Sequence, residues 1–290
     1  MVPEIIDMDM PVEGVFHNLV IAQIKKDYAG QGQKVMNAMW GAGQMMFNKI
    51  LVLADEHVKI QDYESLARYA FRHLDPSTDL VFSNGPMDVL DHSCSKMGFG
   101  GKMGIDGTGK FEEESEHDRP SADQVITVDS SSIKASFPEI KIVNDSLLSK
   151  GITCLLVSIK KERKHHIKQL HQSLGASGLI DGVKMILYVE DTVDANDLPV
   201  ALWRFCNNLD PKRDNVLFQQ DDFSSIGLDG TRKTKEFDNF QRDWPNIIVA
   251  ADATIEAVDK KWNELGLGSF IPSPSLKFKN QIYGEEAIVS

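Results

Sequence analysis

Cysteine is scarce in this chain. Only Cys94, Cys154 and Cys206 occur in 290 residues, an odd number with no metal-type spacing. A disulfide framework and a zinc ribbon are thereby excluded, and the usage fits a reducing compartment. Long hydrophobic runs are missing too: none approaches the ~18 apolar residues that a membrane-spanning helix requires. The opening residues, MVPEIIDMDMPVEG, have neither a basic n-region nor an apolar h-region, so they are not a secretory signal. Basic side chains are in deficit, 31 against 43 acidic ones, for a net charge of −12. That balance excludes a chain whose main partner is nucleic acid, because phosphate binding rests on Lys and Arg. A cytoplasmic protein with no transmembrane segment is expected. Its length and 42% hydrophobic content suffice for two domains, each with a core of its own.

What the chain does contain is a repeat. A shift of 135 residues lays Pro3-Glu4-Ile5 on Pro138-Glu139-Ile140, Ile24-Lys25-Lys26 on Ile159-Lys160-Lys161, and Leu74-Asp75-Pro76 on Leu209-Asp210-Pro211. Lys49, Val58, Asp62 and Asp79 fall on Lys184, Val193, Asp197 and Asp214 without a gap. Further on, GIDGTGK at 104–110 matches GLDGTRK at 227–233, an offset of 227 − 104 = 123, so the second copy is 135 − 123 = 12 residues shorter. Conserved block order of this kind marks an internal duplication.

Each copy reads as strand, helix, strand, helix, strand. In the first, 17–26 and 49–54 are aliphatic strands, 31–47 carries apolar residues at helical spacing, and 80–83 is a third strand. Asp62 is placed to cap a helix over 63–74, which Asp75-Pro76 ends. The second copy predicts strands at 153–161, 185–190 and 215–218 and helices near 164–177 and 198–209. The fold class expected is α/β, with α+β possible: two tandem β-α-β-α-β domains with largely parallel or mixed sheets. The expected domains are 1–112, a polar linker over 113–136, a degenerate second copy over 137–250, and a terminal helix and tail over 251–290.

Most candidate chemistry dissolves on inspection. Residues 104–110 satisfy the G-x-x-x-x-G-K of a phosphate-binding loop, but Phe111 stands where a Ser or Thr would hold magnesium, and Glu112, Glu113 and Glu114 follow. The second copy has Arg232 at the second glycine. A strand over 103–106 running into a glycine-permitted turn is the better reading. Gly41-Ala42-Gly43 lies inside a helical pattern rather than after a strand, so it is no dinucleotide fingerprint and is expected to let the helix pack closely on the sheet. His165 and His166 are expected on the exposed start of a helix. His57, beside Asp55 and Glu56, is a weak metal candidate, and no metal site is assigned.

The informative segment is the one the second copy lacks, 84–102, NGPMDVLDHSCSKMGFGGK. It follows a strand's C-terminal end, where ligands of α/β sheets bind, and functional residues concentrate on loops. Met87, Val89, Leu90 and Phe99 are an odd set to leave in water. A loop that lines a pocket or an interface is expected, one that is mobile unless its apolar residues find cover.

Several blocks also resemble a known family. PVEGVFHN (11–18), KVMNAMWGAGQMMFNKILVLADEHVKIQD (34–62), LDPSTDLVF (74–82), GPMDVLDHS (85–93) and GKMGIDGTGK (101–110) look like the C-terminal region of UbiD-type decarboxylases, and RDWPNIIV (242–249) and VDKKWNELGL (258–267) resemble their end. The resemblance implies a carboxy-lyase that decarboxylates aromatic or α,β-unsaturated acids, the commonest assignment being a hydroxybenzoate-type precursor in quinone biosynthesis. It implies prenylated FMN with a divalent metal (manganese) and potassium, all held by an N-terminal flavin-binding domain upstream. This chain would then be part of a longer protein, with Met1 an expression start, no catalytic residue or cofactor of its own, and no activity alone. Its role would be that of a lid and oligomerisation region in a homo-oligomer, with Met87, Asp88, Val89, Leu90, Asp91 and His92 lining the pocket for the aromatic acid. A stand-alone binding or scaffold protein built from two copies is the alternative.

Overall fold

The computed structural model describes residues 2–114 and 125–290, which form two compact units, Met1–Arg242 and Asp243–Ser290. The first unit holds both copies. In copy one, β1 (Ile5–Asp9), β2 (Leu19–Ile24), α1 (Gln31–Trp40), β3 (Ile50–Asp55), α2 (Tyr63–His73), β4 (Leu80–Pro86) and β5 (Phe99–Asp106) follow one another. Their sheet has the order β1-β2-β3-β5-β4. β2, β3 and β5 run parallel, and β1 and β4 are antiparallel edges.

Copy two begins after α3 (Ser130–Ser136), with β6 (Ile140–Asn144), β7 (Cys154–Ile159), α4 (His166–Ala176), β8 (Met185–Glu190), α5 (Leu198–Asn208), β9 (Asn215–Gln220) and β10 (Phe223–Asp229). Its sheet order, β6-β7-β8-β10-β9, is the same. So is the register: Leu19 pairs with Ile50 in one sheet and Cys154 with Met185 in the other, 135 residues on. Even the irregularity between Ile5 and Asp7 recurs between Ile140 and Ile142.

The physical reasons are local. β2 and β3 are buried on both faces, which is why they read as continuous aliphatic runs. Val20, Ala22, Ile24, Leu51 and Leu53 pack on Val35, Met36 and Met39 of α1. On the opposite face Ile21 and Ala54 meet Leu66 of α2. Asp62 caps α2 by accepting from the Ser65 amide at 3.2 Å, and Asp197 caps α5 from the Val200 amide at 3.4 Å.

Four details differ from expectation. The edge strands β1 and β6 carry no apolar run, and β1 is mostly exposed, so hydrophobic pattern alone passes over them. The helical pattern of 31–47 is one helix only to Trp40. Gly41 ends it and Gly43, at φ 51°, turns the chain into a short 3-10 stretch, so these glycines stop the helix rather than pack it. His165 is exposed, but His166 is buried, accepts from the Glu162 amide at 3.1 Å and lies 3.1 Å from Glu139. Of the expected linker over 113–136, residues 115–124 lie outside the described residues, and 130–136 form α3, capped by Asp129.

The second unit contains a helix, Asp252–Lys261, and a two-stranded parallel pair, Val249–Ala250 with Ile288–Val289. Among the described residues no helix is long and apolar enough to cross a membrane.

Candidate functional site

The two ends of each sheet differ in kind. At the carboxyl ends of β2, β3 and β5 sits the turn that imitates a phosphate loop. Thr108 donates from its amide and hydroxyl to Asp106 Oδ1, and Lys110 lies 3.2 Å from Asp106 and 3.4 Å from Asp79. Lys26 donates to Thr108, to the Gly109 carbonyl and, at 2.6 Å, to Glu114. Copy two repeats the set: Lys233 lies 3.2 Å from Asp229 and 3.5 Å from Asp214. Burial would raise the Asp229 carboxyl, but Lys233 and Lys161 overcome it and hold it at about 2. The lysines of this turn are neutralised by carboxylates of the chain itself, so they are ion-pair struts and not a phosphate cradle.

The segment unique to copy one lies at the opposite end. β4 and β5 are paired from Leu80↔Ile105 to Pro86↔Phe99, and residues 87–98 form the loop between them. In copy two the corresponding hairpin closes over Asp221 and Asp222 alone. Because β4 is antiparallel to its neighbour, its C-terminal end sits beside the amino ends of β2 and β3. The expectation of a strand-end ligand site in the manner of parallel sheets therefore fails in its premise; the loop has to be judged by its own contacts.

Those contacts divide it into a base and a tip. Met87, Asp91, Ser93 and Cys94 are buried, whereas Val89, Leu90 and Met97 are 67%, 79% and 72% exposed. Asp91 lies 2.7 Å from Lys49, both side chains almost fully buried. Burial would raise the Asp91 carboxyl, but Lys49 and the Ser93 hydrogen bonds bring it down to about 2. Asp88 Oδ1 accepts from the Leu90 amide, and the other oxygen faces His17 at 3.4 Å. Burial lowers the His17 pKa, with Asp88 opposing. Lys102 is 1% exposed and donates to the Met46 and Asn48 carbonyls at 2.6 and 2.9 Å. Its desolvation pushes the ammonium down to about 8.

Copy two supplies the cover. His92 Nε2 lies 3.1 Å from Asn208 Oδ1, the Ser93 hydroxyl oxygen lies 3.0 Å from the Leu209 carbonyl, and Arg213 donates to the Ser93 carbonyl at 2.8 Å. Arg242 donates to the carbonyls of Asp91 and Cys94. The base of the loop is thus held against α5 and the segment after it.

Of the six residues expected to line a pocket, the structure turns Val89 and Leu90 outward. Met87 and Asp91 are buried in the base, His92 faces Asn208, and Asp88 joins base to tip. Sequence reasoning missed His17, Asn48, Lys49 and Lys102. One signal was present: at the repeat offsets His17 corresponds to Ile152, Asn48 to Val183 and Lys102 to Ser225. At these three positions copy one carries an ionisable or amide side chain where copy two has Ile, Val or Ser. Among the described residues no group of three or more His, Cys, Asp or Glu is placed to hold a metal ion. His57 packs edge-on against Tyr69.

The family model described as the 3-octaprenyl-4-hydroxybenzoate carboxy-lyase C-terminal domain matches residues 1–107 and again 125–235. An uncharacterized protein of Helicobacter pylori is 30% identical over 267 residues, which are 89% of this chain and 40% of that protein. One from Archaeoglobus fulgidus is 44% identical over 113 residues, 39% of this chain and 24% of that protein. The chain thus spans less than half the length of these curated relatives. Among solved structures, a closed form of the vanillic acid decarboxylase of Sedimentibacter hydroxybenzoicus is 23% identical over 46% of this chain and 28% of its own, with a TM-score of 0.37. A UbiD-class enzyme of Pelotomaculum thermopropionicum in complex with FMN is 20% identical over 41% and 27%, with a TM-score of 0.35. The chain belongs to the UbiD (3-octaprenyl-4-hydroxybenzoate carboxy-lyase) family and matches its C-terminal domain twice.

Proposed function

We propose that this chain is the C-terminal part of a decarboxylase acting on an aromatic or unsaturated carboxylic acid, of the hydroxybenzoate type used as a quinone precursor. In the whole protein, a flavin-binding domain holds prenylated FMN with manganese and potassium, and the 87–98 loop closes over the substrate. The observation that carries this reading is the loop itself. In a chain of this family, an exposed apolar tip, Val89 and Leu90, stands on a base fixed by the buried Lys49–Asp91 pair.

The chemistry of this chain's residues is then positional. A rigid base lets an apolar tip displace water from a site without the tip itself losing much conformational freedom on closure. Asp88 holds the tip turn through the Leu90 amide, and Asp91 and Ser93 anchor it below. None of these residues has to donate or accept a proton from substrate. The cofactor, when bound to its own domain, supplies the electron sink for carboxylate loss. A cytoplasmic homo-oligomer is the assembly this reading expects.

The test is a side-by-side assay of carbon dioxide release from aromatic acids, with prenylated FMN supplied, using the 290-residue chain and the whole protein. Turnover is expected from the whole protein alone. Turnover by the isolated chain, or none by the whole protein, overturns the proposal.

A further inference from the structure

The two copies meet through contacts that mirror each other. Lys49 donates to the carbonyl of Cys206 at 3.0 Å; Lys184, its counterpart, donates to the carbonyl of Phe71 at 2.7 Å, and Phe71 is the counterpart of Cys206. Asp75 Oδ1 accepts from the Ser224 hydroxyl at 3.0 Å; its counterpart Asp210 accepts from the amide of Gly101, the counterpart of Ser224, at 3.1 Å. The turn Val12–Gly14 before β2 packs on α5, and the equivalent turn before β7, ending at Lys150, receives Arg68 of α2 at 2.9 Å. Residue i of one copy touches residue j of the other, and the counterpart of i touches the counterpart of j. That is the signature of an isologous, two-fold interface.

The surfaces behind these contacts mirror each other as well. A cavity of about 440 Å³ lies in the seam, lined by Leu19, Ile21 and Val52 from copy one and by their counterparts Cys154, Leu156 and Leu187 from copy two. Each sheet therefore turns the same apolar face toward the other. Left uncovered, a face of this kind is an association surface. Some of the identities retained between the copies fall here too: Lys49 with Lys184, and Leu74-Asp75-Pro76 with Leu209-Asp210-Pro211.

We infer that copy two takes the place of a second subunit: the chain carries, folded within itself, the two-fold interface by which one copy would pair with another of its kind. The partner of copy one's apolar face is a second copy of the same fold, and it is supplied in the same chain. Two consequences follow. Any homo-oligomer of this protein is built from surfaces other than the seam. And the cover of the 87–98 loop, from Asn208 and Arg213, arrives with every chain instead of depending on assembly.

Engineered cysteines in the full 290-residue chain test this. Asp75→Cys with Ser224→Cys places two thiols across the seam, and Glu64→Cys with Lys150→Cys, whose native side chains lie 2.7 Å apart, does so at its exposed rim. The rim pair keeps the test alive if the first variant folds poorly. The native cysteines are buried, and the parent chain serves as control. Mild oxidation, or a short bis-maleimide, should link each pair within one chain at every protein concentration. A 1:1 mixture of the two single-cysteine chains should give no linked product across this seam. A product of twice the chain mass, from the double variant or the mixture, would show the seam lying between chains and overturn the inference. So would the absence of any link in both folded double variants.

Discussion

Copies one and two share strand order, pairing register and even the irregularity in their first strand, yet they differ sharply at one end of the sheet. Both keep the Asp-Gly-Thr turn with its lysine at the carboxyl ends of the parallel strands. Both keep the seam residues. Only copy one has the loop 87–98, and only copy one places a buried lysine, Lys102, and a histidine, His17, beside it. In copy two those positions are Ser225 and Ile152, and the hairpin closes over two residues. The retained features hold the fold and the pairing; the loop is the feature that one copy alone carries. Copy two nevertheless meets that loop: its α5 and the residues after it cover the base.

Three perturbations sharpen the comparison. The largest effect is expected at Asp91. Removing it leaves Lys49 buried without its carboxylate, and breaking a buried pair in this way costs about 3–5 kcal/mol. Asp91→Ala should lower stability by that order in chemical denaturation, while Asp222→Ala at the hairpin tip of copy two should be near neutral. The pH dependence has a definite sign. The folded Asp91 pKa, about 2, lies below the ordinary 3.8, so its contribution is complete above pH 4 and is lost as pH falls toward 2. The variant should lack that part of the acid sensitivity.

Lys102 has the same sign of pH dependence in a higher window, for a different reason: burial disfavours its charged form, whereas Lys49 favours that of Asp91. Its folded value of about 8 is below the ordinary 10.5, so the folded protein gives up this proton first, and unfolding takes it back between those values. Stability should therefore rise from pH 8 toward 10.5, by at most about 3 kcal/mol. Lys102→Met, tracked by urea midpoints at pH 7, 8.5 and 10, should remove the rise. An unchanged slope would mean that Lys102 is not desolvated as the structure has it.

The smallest effects are at the caps, where the copies should agree. Asp62→Ala and Asp197→Ala each delete a helix N-cap in equivalent places and should each cost about 1 kcal/mol. Thermal melts showing a large cost at one cap and none at the other would break the equivalence of the two folds.

Much of this architecture was legible in the chain. Aliphatic runs located β2, β3, β7 and β8 because strands covered on both faces need no alternation. Asp62 and Asp75-Pro76 marked the ends of α2. The edge strands β1 and β6 were not legible, since they leave no apolar run, whereas the other edges, β4 and β9, were. The loop was visible as an unmatched, oddly apolar segment, but its division into base and tip was not. That division depends on Lys49, which reaches both Asp91 and the end of α5, and no local pattern reports contacts so distant in sequence. Direction misled as well: a strand's C-terminal end means a ligand site only when the strand is parallel to its neighbours, and β4 is not. Comparing the copies position by position, His17 with Ile152 and Lys102 with Ser225, would have pointed to this end without coordinates.

The central claim is that the loop of copy one serves the substrate site and that copy two has no counterpart. It is tested most directly by kcat/KM for Leu90→Ala in the whole protein, measured beside Asp222→Ala, with thermal melting as the check on folding. Losing an apolar contact of this size from the site changes transition-state binding by about 1–3 kcal/mol. Leu90 is 79% exposed in this chain, so its truncation should leave the melting temperature unchanged. The account predicts roughly a ten- to hundredfold fall in kcat/KM for Leu90→Ala, and no change for Asp222→Ala. Normal kinetics for Leu90→Ala in a normally folded protein, or an equal loss for both variants, would contradict it.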